Sequence, residues 1–471
     1  MDFITELREL LGRYALTDEK EIAPYVIDDR RRYIGDAIAV ALPGNHDEVV
    51  KVLKLTEKYQ IPVIPQSGNT SNCGGSVPDK NSGALVLSLK RMRRILSVDP
   101  VNDTIHAEAG VTLQALQDAA KEYDRLFPLT LASQGSAAVG GLLANNAGGT
   151  QVLRYGMTRD LTLGYRAVLV DGREINELNA LRKNNSGYDL RDLLIGSEGT
   201  LAVITEAILK LFPRPKEVRA LILSLADLKS VETVFNAFND QMHAEMTAFE
   251  LLSRPTLAKL AQQCPEVRQP EIEKNEWSVL IEFSFFDQND SHDELVESIL
   301  EGLIEKGYVV DGVISQSEDD VNDFWRIREM IPPAHKKAGG NVKHDIAVPR
   351  SRLVEFIETV CGELQTKYDW LEPSVFGHFG DGNLHFNMGV LPHLDQKIVF
   401  AHEKDIHAWV HRRVLDFGGT ISAEHGIGQL KREAMREAKD PIALEMMRGI
   451  KRVFDPSGRL NPNRLLPDNE S

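Results

Sequence analysis

"PQSGNTSNCGGSVP", residues 65–78, decides how the first half of the chain is read. Ser67, Gly68, Asn69, Thr70 and Ser71 are followed closely by Gly74, Gly75 and Ser76. Glycine lets a backbone come close to a ligand and adopt positive φ. Successive free N–H groups in such a turn form a concavity suited to an anion such as a pyrophosphate. The hydroxyls of Ser67, Thr70 and Ser71 add donors. The stretch is neither a GxGxxG fingerprint nor a Walker loop. Taken alone, it also reads as a flexible surface loop, the usual fate of Gly/Ser/Asn clusters.

A second stretch, "SQGSAAVGGLLANNAGGTQVLRYG" (133–156), changes that balance. Gly135, Gly140, Gly141, Gly148 and Gly149 are interleaved with Ala144, Asn146 and Ala147. Missing side chains let a large flat ligand lie against the backbone. A third small-residue element, "GSEGTLAVIT" (196–205), leads into a strand. Three such elements suit an extended ligand with a pyrophosphate and two ring systems, such as FAD.

The flanking sequence is mixed helix and strand. Residues 2–11 predict a helix ended by Gly12. Asn45, with Glu48 three residues on, predicts the capped start of a helix running to Tyr59. Strands are expected over 61–65, 84–89, 103–110, 166–172 and 201–213, with a helix over 113–123. Pro213 and Pro215 mark a boundary. Beyond it, polar helices alternate with strands such as "WSVLIEFSFF" (277–286), and the tail closes in the turn-rich "VFDPSGRLNPNRLLP" (453–467). The expected division is 1–215, 216–412 and 413–471.

Composition narrows the function classes. With 471 residues the chain is too long for one ordinary core. A net charge of -16 argues against nucleic acid, which rewards basic faces. No window approaches the roughly 18 apolar residues of a membrane span. The acidic, amphipathic start "MDFITELRELLGRY" lacks the basic and apolar regions of a signal peptide. Cys73, Cys264 and Cys361 show no metal or redox spacing, which suggests a reducing compartment. A cytoplasmic location is therefore expected.

"FGHFGDGNLHFNM" (376–388) places two histidines and an asparagine around a glycine-rich turn. Asp381-Gly382 is a strong two-residue hairpin signal. In that register His378 opposes His385, and directly opposed residues share a face with Cβ atoms about 5 Å apart. Asn387 points the same way, two residues on. Two imidazoles so placed can chelate a divalent metal; a plain pair of core or surface histidines is the other reading. A carboxylate would strengthen the site, and "TISAEHGIG" (420–428) supplies Glu424 beside His425. Neighbours on a straight strand point oppositely, so both serve one site only if the chain bends. Gly426 and Gly428 allow that bend.

These motifs resemble a known family. "IPQSGNTSNCGGSVP" (64–78), "GGLLANNAGGTQVLRYG" (140–156), "KNNSGYDL" (183–190) and "GSEGTLAVITEAILKLFP" (196–213) resemble the FAD-binding domain of the vanillyl-alcohol oxidase / p-cresol methylhydroxylase superfamily. "GHFGDGNLHFN" (377–387), "SAEHGIG" (422–428) and "DPSGRLNP" (455–462) resemble its D-lactate and D-2-hydroxyglutarate dehydrogenase branch. The resemblance implies an α+β fold: an FAD domain, a substrate domain with an antiparallel sheet and helices, and a C-terminal segment that closes the active site. It implies noncovalent FAD, since the first loop offers no histidine for attachment; Cys73 reads as a packed small residue rather than a tether. Flavin contacts are implied for Ser67, Gly68, Asn69, Thr70, Ser71 and Gly74. They extend to Ser133, Gly135, Ser136, Gly140, Gly141, Asn146, Ala147, Gly148, Tyr155 and Gly156, and to Glu198, Gly199, Ile204 and Asn461. His378, His385 and Glu424 are implied as metal ligands and His425 as the base. Two His and one carboxylate also suit Fe(II); redox-inert Zn²⁺ fits better beside a flavin that already carries the electrons.

By the same resemblance Arg328, Lys343 and Asn387 bind substrate carboxylates. The implied reaction is oxidation of a D-2-hydroxy acid, D-2-hydroxyglutarate to 2-oxoglutarate, with electron-transfer flavoprotein or a quinone as acceptor. A homodimer is compatible with it. One departure stands out: Pro332 occupies the position of an expected substrate-binding Thr. The nearest rival substrates are D-lactate and glycolate, whose enzymes usually lack a counterpart of Lys343. An oxidase using O₂ and a flavin- or metal-binding module without catalysis are the other readings.

Overall fold

In the computed structural model, which describes residues 2–28, 31–273, 275–287 and 291–468, the strand Val63–Gln66 delivers the chain into the first glycine-rich loop. The chain divides into two units. The first holds the described residues through Gly149, then Gly156–Arg214, then Glu424 onward; the second holds Thr150–Tyr155 and Pro215–Ala423.

The first unit is built on two sheets. In one, Ala39–Ala41, Leu85–Ser88 and Val63–Gln66 run parallel, with Ala15–Leu16 added antiparallel at the edge. Parallel neighbours need a crossover, and the helix His46–Tyr59 lies between Ala39–Ala41 and Val63–Gln66 in the chain. Its start is capped as the sequence predicts: the Glu48 amide donates to Asn45 Oδ1 at 3.0 Å, while the Glu48 carboxylate reaches back to the Gly44 amide at 2.7 Å. The other sheet is antiparallel, in the order Ile95–Asp99, Thr104–Glu108, Val203–Lys210, Thr162–Val168, Glu174–Glu177.

The C-terminal stretch belongs to this unit for a visible reason. Leu460 forms a parallel bridge with Val63, through Val63 N–H to Arg459 O and Asn461 N–H to Val63 O, both 2.8 Å. The buried Arg459 guanidinium donates to the carbonyls of Thr56 and Ile61 at 3.2 and 2.9 Å. The boundary expected at 412/413 falls inside the helix Glu403–Asp416; the second unit continues to Ala423.

The second unit centres on a seven-stranded antiparallel sheet. Its strands, numbered within this unit, are β1 (Glu217–Leu225), β2 (Met246–Ser253), β3 (Trp277–Phe285), β4 (Val309–Ile314), β5 (Asp345–Ala347), β6 (Leu371–His378) and β7 (Asn383–Val390). Their spatial order is β4-β1-β3-β2-β6-β7-β5. Its longer helices are α1 (Ser230–Met242), α2 (Arg254–Gln263), α3 (Ser291–Glu305), α4 (Glu318–Lys337), α5 (Leu353–Lys367) and α6 (Glu403–Asp416).

Strand alternation sorts side chains onto two faces. Phe249, Leu251, Ile281, Phe283, Phe386 and Met388 pack with α1, α3, α5 and α6. Ile222, Leu252, Leu280 and Phe376 pack with α2 and α4 through Leu260, Phe324, Ile327 and Ile331. The second face carries the candidate site. Phe379, next to His378, is held from behind by Phe249 and Phe235, ring centres 5.9 and 6.4 Å away. Among the described residues, no helix is long and apolar enough to cross a membrane.

Candidate active site

The turn after β6 is longer than the two-residue hairpin that Asp381-Gly382 suggests. Phe379–Asp381 form a 3₁₀ turn, and Gly382 closes it at φ 90°. His385 therefore opposes Phe376 rather than His378. The register differs from the expected one by two residues, and an even shift leaves every side chain on its face. His378 and His385 still meet, with ring centres 5.6 Å apart and one nitrogen of each within 4.8 Å of the other. Asn387 opposes Ser374 on that same face, where its Oδ1 accepts the His344 amide at 3.2 Å.

β5 adds a residue that sequence reasoning missed. Asp345 lies directly opposite His385, and a carboxylate oxygen comes within 4.8 Å of a His385 ring nitrogen. Asn383 Nδ2 donates to that carboxylate at 3.1 Å. Lys343, two residues earlier, sits between the core residue Val342 and the buried His344.

Glu250 ties this face together. It is fully buried on β2, opposite His378. One carboxylate oxygen bonds His378 Nδ1; the other accepts Arg328 Nε of α4 at 2.5 Å. Burial alone would raise this carboxyl; the charges and hydrogen bonds of His378 and Arg328 outweigh it and hold it at about 2. With Nδ1 so engaged, His378 presents Nε2. This is the usual outer support of a metal-bound imidazole. Arg328 lies over the Phe376 ring at 4.8 Å. Seven residues on, His335 is pushed down to about 3 by burial and by the nearby Lys259 and Lys343, so it stays neutral at ordinary pH. Pro332 lies inside α4 and lacks the amide that would bond Arg328 O.

In the first unit the glycine-rich elements interlock. Ser67 Oγ donates to Ala109 O at 2.8 Å, and a Cβ on Gly140 would come within 2.9 Å of Ala109 Cβ. A Cβ on Gly68 would stand 2.2 Å from Ser136 O, so the two loops meet backbone to backbone. Ser71 Oγ accepts the amides of Cys73 and Gly75 at 3.3 and 3.1 Å. The amides of Gly68, Asn69, Thr70 and Ser71 have no acceptor among the described residues. Four adjacent donors on a loop without side-chain bulk fit a pyrophosphate.

Glu198 and Asn461 have structural duties here. Glu198, at φ 52°, accepts the amides of Ile427 and Gly428, each at 2.7 Å. Burial pushes its carboxyl up, against those amides and the charges of Lys431 and Arg464. Asn461 Nδ2 donates to Gly75 O at 3.0 Å and to Glu198 O at 2.7 Å. Asn145 Nδ2 holds Glu424 O at 2.8 Å. The chain bends through this segment, and Gly426, next to His425, takes φ 77°. Both residues belong to the first unit, immediately after Ala423, the last residue of the second. Cys73 is buried with Sγ 3.3 Å from Gly426 O. Tyr155 falls in the second unit.

Comparison with known proteins gives the family. Residues 214–465 match the family model for FAD linked oxidases, C-terminal domain, and residues 37–176 match an FAD binding domain. A D-2-hydroxyglutarate dehydrogenase of Xanthomonas citri pv. viticola is 34% identical over 97% of this chain and 94% of its own length. The mitochondrial D-2-hydroxyglutarate dehydrogenase of Arabidopsis thaliana is 32% identical over 98% of this chain and 81% of its own. The chain belongs to the FAD-linked oxidases, on their D-2-hydroxyglutarate dehydrogenase branch. The fold of this FAD-linked oxidase is shared by p-cresol methylhydroxylase, with a TM-score of 0.75 at 17% identity over 100% of this chain and 97% of that one. It is an FAD-dependent oxidoreductase.

Two buried carboxylates of this oxidase escaped the sequence reading, and each left a signal. Glu250 interrupts the apolar run "TAFELLS" (247–253), and Glu282 interrupts "VLIEFSF" (279–285). A charge inside a buried strand needs partners. Those of Glu282 are Thr247, Trp325 and Gln151.

Removing the Glu250 charge tests the first network. Glu250→Gln should cost about 3–5 kcal/mol at pH 7, the scale for breaking a buried pair. The wild-type advantage is complete above pH 4.5 and should shrink as pH falls toward 2, because the folded-state value lies below the ordinary one. Chemical denaturation across that range reads it; a deficit independent of pH would assign the loss to packing. In the first unit, Gly68→Ala should purify depleted in flavin, since its Cβ meets Ser136 O. Flavin-to-protein absorbance measures this, and full occupancy would remove the loop from the flavin site.

Proposed function

We propose that this FAD-linked oxidase converts D-2-hydroxyglutarate to 2-oxoglutarate with the help of a divalent metal, Zn²⁺, held by His378, His385 and Glu424. The observation that carries the reading is the Glu250 carboxylate shared between His378 and Arg328, on the sheet face that also bears His385 and Asn387. A histidine oriented for a metal and a guanidinium suited to a carboxylate are thereby fixed by one buried charge. The names of the relatives support the same substrate.

FAD, when bound, accepts the two electrons as a hydride. A metal held by these residues would supply Lewis acidity at the substrate hydroxyl. The donor set fits it: two imidazoles side by side, a supporting carboxylate behind one of them, and Glu424 as the third ligand. His425, in its neutral form, takes the hydroxyl proton. Arg328 spends its Nε on Glu250 and keeps its terminal nitrogens for a carboxylate, which a planar guanidinium recognises well. Asn387 assists near the metal, and Lys343 pairs with the distal carboxylate. Electron-transfer flavoprotein or a quinone takes the electrons onward.

D-lactate is the second reading, favoured by Pro332 where a substrate-binding Thr is expected. Lys343→Ala separates the two. Losing one charge-assisted contact costs about 1.5–3 kcal/mol, roughly 10- to 150-fold. The variant should lose that factor in kcat/KM for D-2-hydroxyglutarate and keep its rate on D-lactate; an equal fall on both would make Lys343 structural. For the metal and base, Glu424→Ala should lose metal, whereas His425→Ala should keep metal and flavin and lose at least ~10²-fold in rate. Metal retained in Glu424→Ala but lost in Asp345→Ala would transfer the ligand role to Asp345.

A further inference from the structure

The helix Pro441–Phe454 of the first unit carries two apolar seams, and the fold uses the inner one. Leu444 and Met447 pack with Ile427, Met435 and Leu465. Lys451 turns the same way and donates to Thr200 O at 2.7 Å and to Leu460 O at 2.8 Å. Asp440 caps the start by accepting the amides of Ile442 and Ala443 at 2.9 and 3.1 Å. The helix is thus fixed to its unit along one side.

The outer seam is Ile442, Met446, Gly449 and Val453. Ile442 is 68% exposed, Met446 55% and Val453 74%. A Cβ on Gly449 would meet nothing nearer than Arg452 Nη2 at 3.9 Å. The spacing alternates between four and three, which is the a/d repeat of a helix that pairs with another helix. With Met446 and Val453 as a, and Ile442 and Gly449 as d, the flanking g positions hold Glu445 and Arg452 and the e positions Ala443 and Ile450. Glu445 and Arg452 are exposed, and among the described residues neither makes an ion pair or a side-chain hydrogen bond.

This pattern complements itself. When two identical helices pair antiparallel, a faces d, g faces g and e faces e. Met446 then meets Gly449 of a second copy, and Ile442 meets Val453. The same two-fold axis sets Glu445 of each copy beside Arg452 of the other, and Ala443 beside Ile450. A parallel pair would set g against e, leaving Glu445 beside Ile450 with no countercharge. A lipid surface calls for basic residues along such a seam; here one acid and one base flank it.

We propose that the outer seam of Pro441–Phe454 is a contact between two copies of this chain, made by antiparallel pairing about a two-fold axis and fixed in register by reciprocal Glu445–Arg452 pairs. Both copies use the same patch, so the contact closes at a dimer. At 14 residues the helix is about 21 Å long. That is short for a permanent interface, which buries about 1,200 Å² or more, so the dimer forms reversibly.

Sedimentation velocity of the full holoenzyme, over a series of rising concentrations, tests the proposal. Wild type should pass from monomer to dimer along the series. M446E should weaken association at least ~10-fold, because it sets a buried charge in the seam. Its flavin content and turnover per subunit should stay at wild-type values. E445R and R452E should each weaken association, since each sets like charges face to face, and E445R/R452E should restore it. Flotation with phosphatidylserine vesicles should show no binding. A wild type that stays monomeric throughout, a dimer indifferent to M446E, single charge variants that associate like wild type, or vesicle binding that M446E abolishes would each overturn the proposal.

Discussion

A single buried carboxylate sets the terms for the second unit. Glu250 sits at the centre of a seven-stranded sheet with no exposed surface, yet it stays ionised because His378 and Arg328 approach it from two sides. A carboxylate in that position without partners would be strongly unfavourable. The strand pairing, the turn that carries His378 and the placement of α4 must therefore agree with one another. The aromatic contacts of Phe249 and Phe379 hold the turn from the far face, so packing and electrostatics fix the same residue. The orientations of the His378 imidazole and of the Arg328 guanidinium then follow from one constraint.

In the first unit a second acid does comparable work through backbone rather than side chains. Glu198 gathers the amides of Ile427 and Gly428 and so fixes the turn that follows Glu424 and His425. Directly after His425, Gly426 takes a positive φ that glycine adopts without a Cβ penalty.

Much of this was legible in the residues. The glycine-rich loops, the Asn45 cap and the shared face of His378, His385 and Asn387 all follow from local chemistry. The hairpin register did not, because Asp381-Gly382 closes a four-residue turn; the error was harmless only because it was even. Asp345 and Glu250 were out of reach for another reason. Their partners lie 40 and 128 positions away in the chain, His385 and His378, and no local period reports such pairings. The end of the second unit was misplaced because α6 continues through it without a break in pattern. Family resemblance implies Glu198 as a flavin contact, and no local pattern reports that its carboxylate also holds a turn more than two hundred residues later.

The central claim is that a face built around Glu250 serves a flavin enzyme acting on a five-carbon D-2-hydroxy diacid. Anaerobic mixing of the purified holoenzyme with D-2-hydroxyglutarate, the L-enantiomer and D-lactate, following the flavin absorbance in a single turnover, tests it most directly. Rapid and complete bleaching by D-2-hydroxyglutarate, slow bleaching by D-lactate and none by the L-enantiomer is the predicted result. Faster bleaching by D-lactate, or none by any of the three, would contradict it.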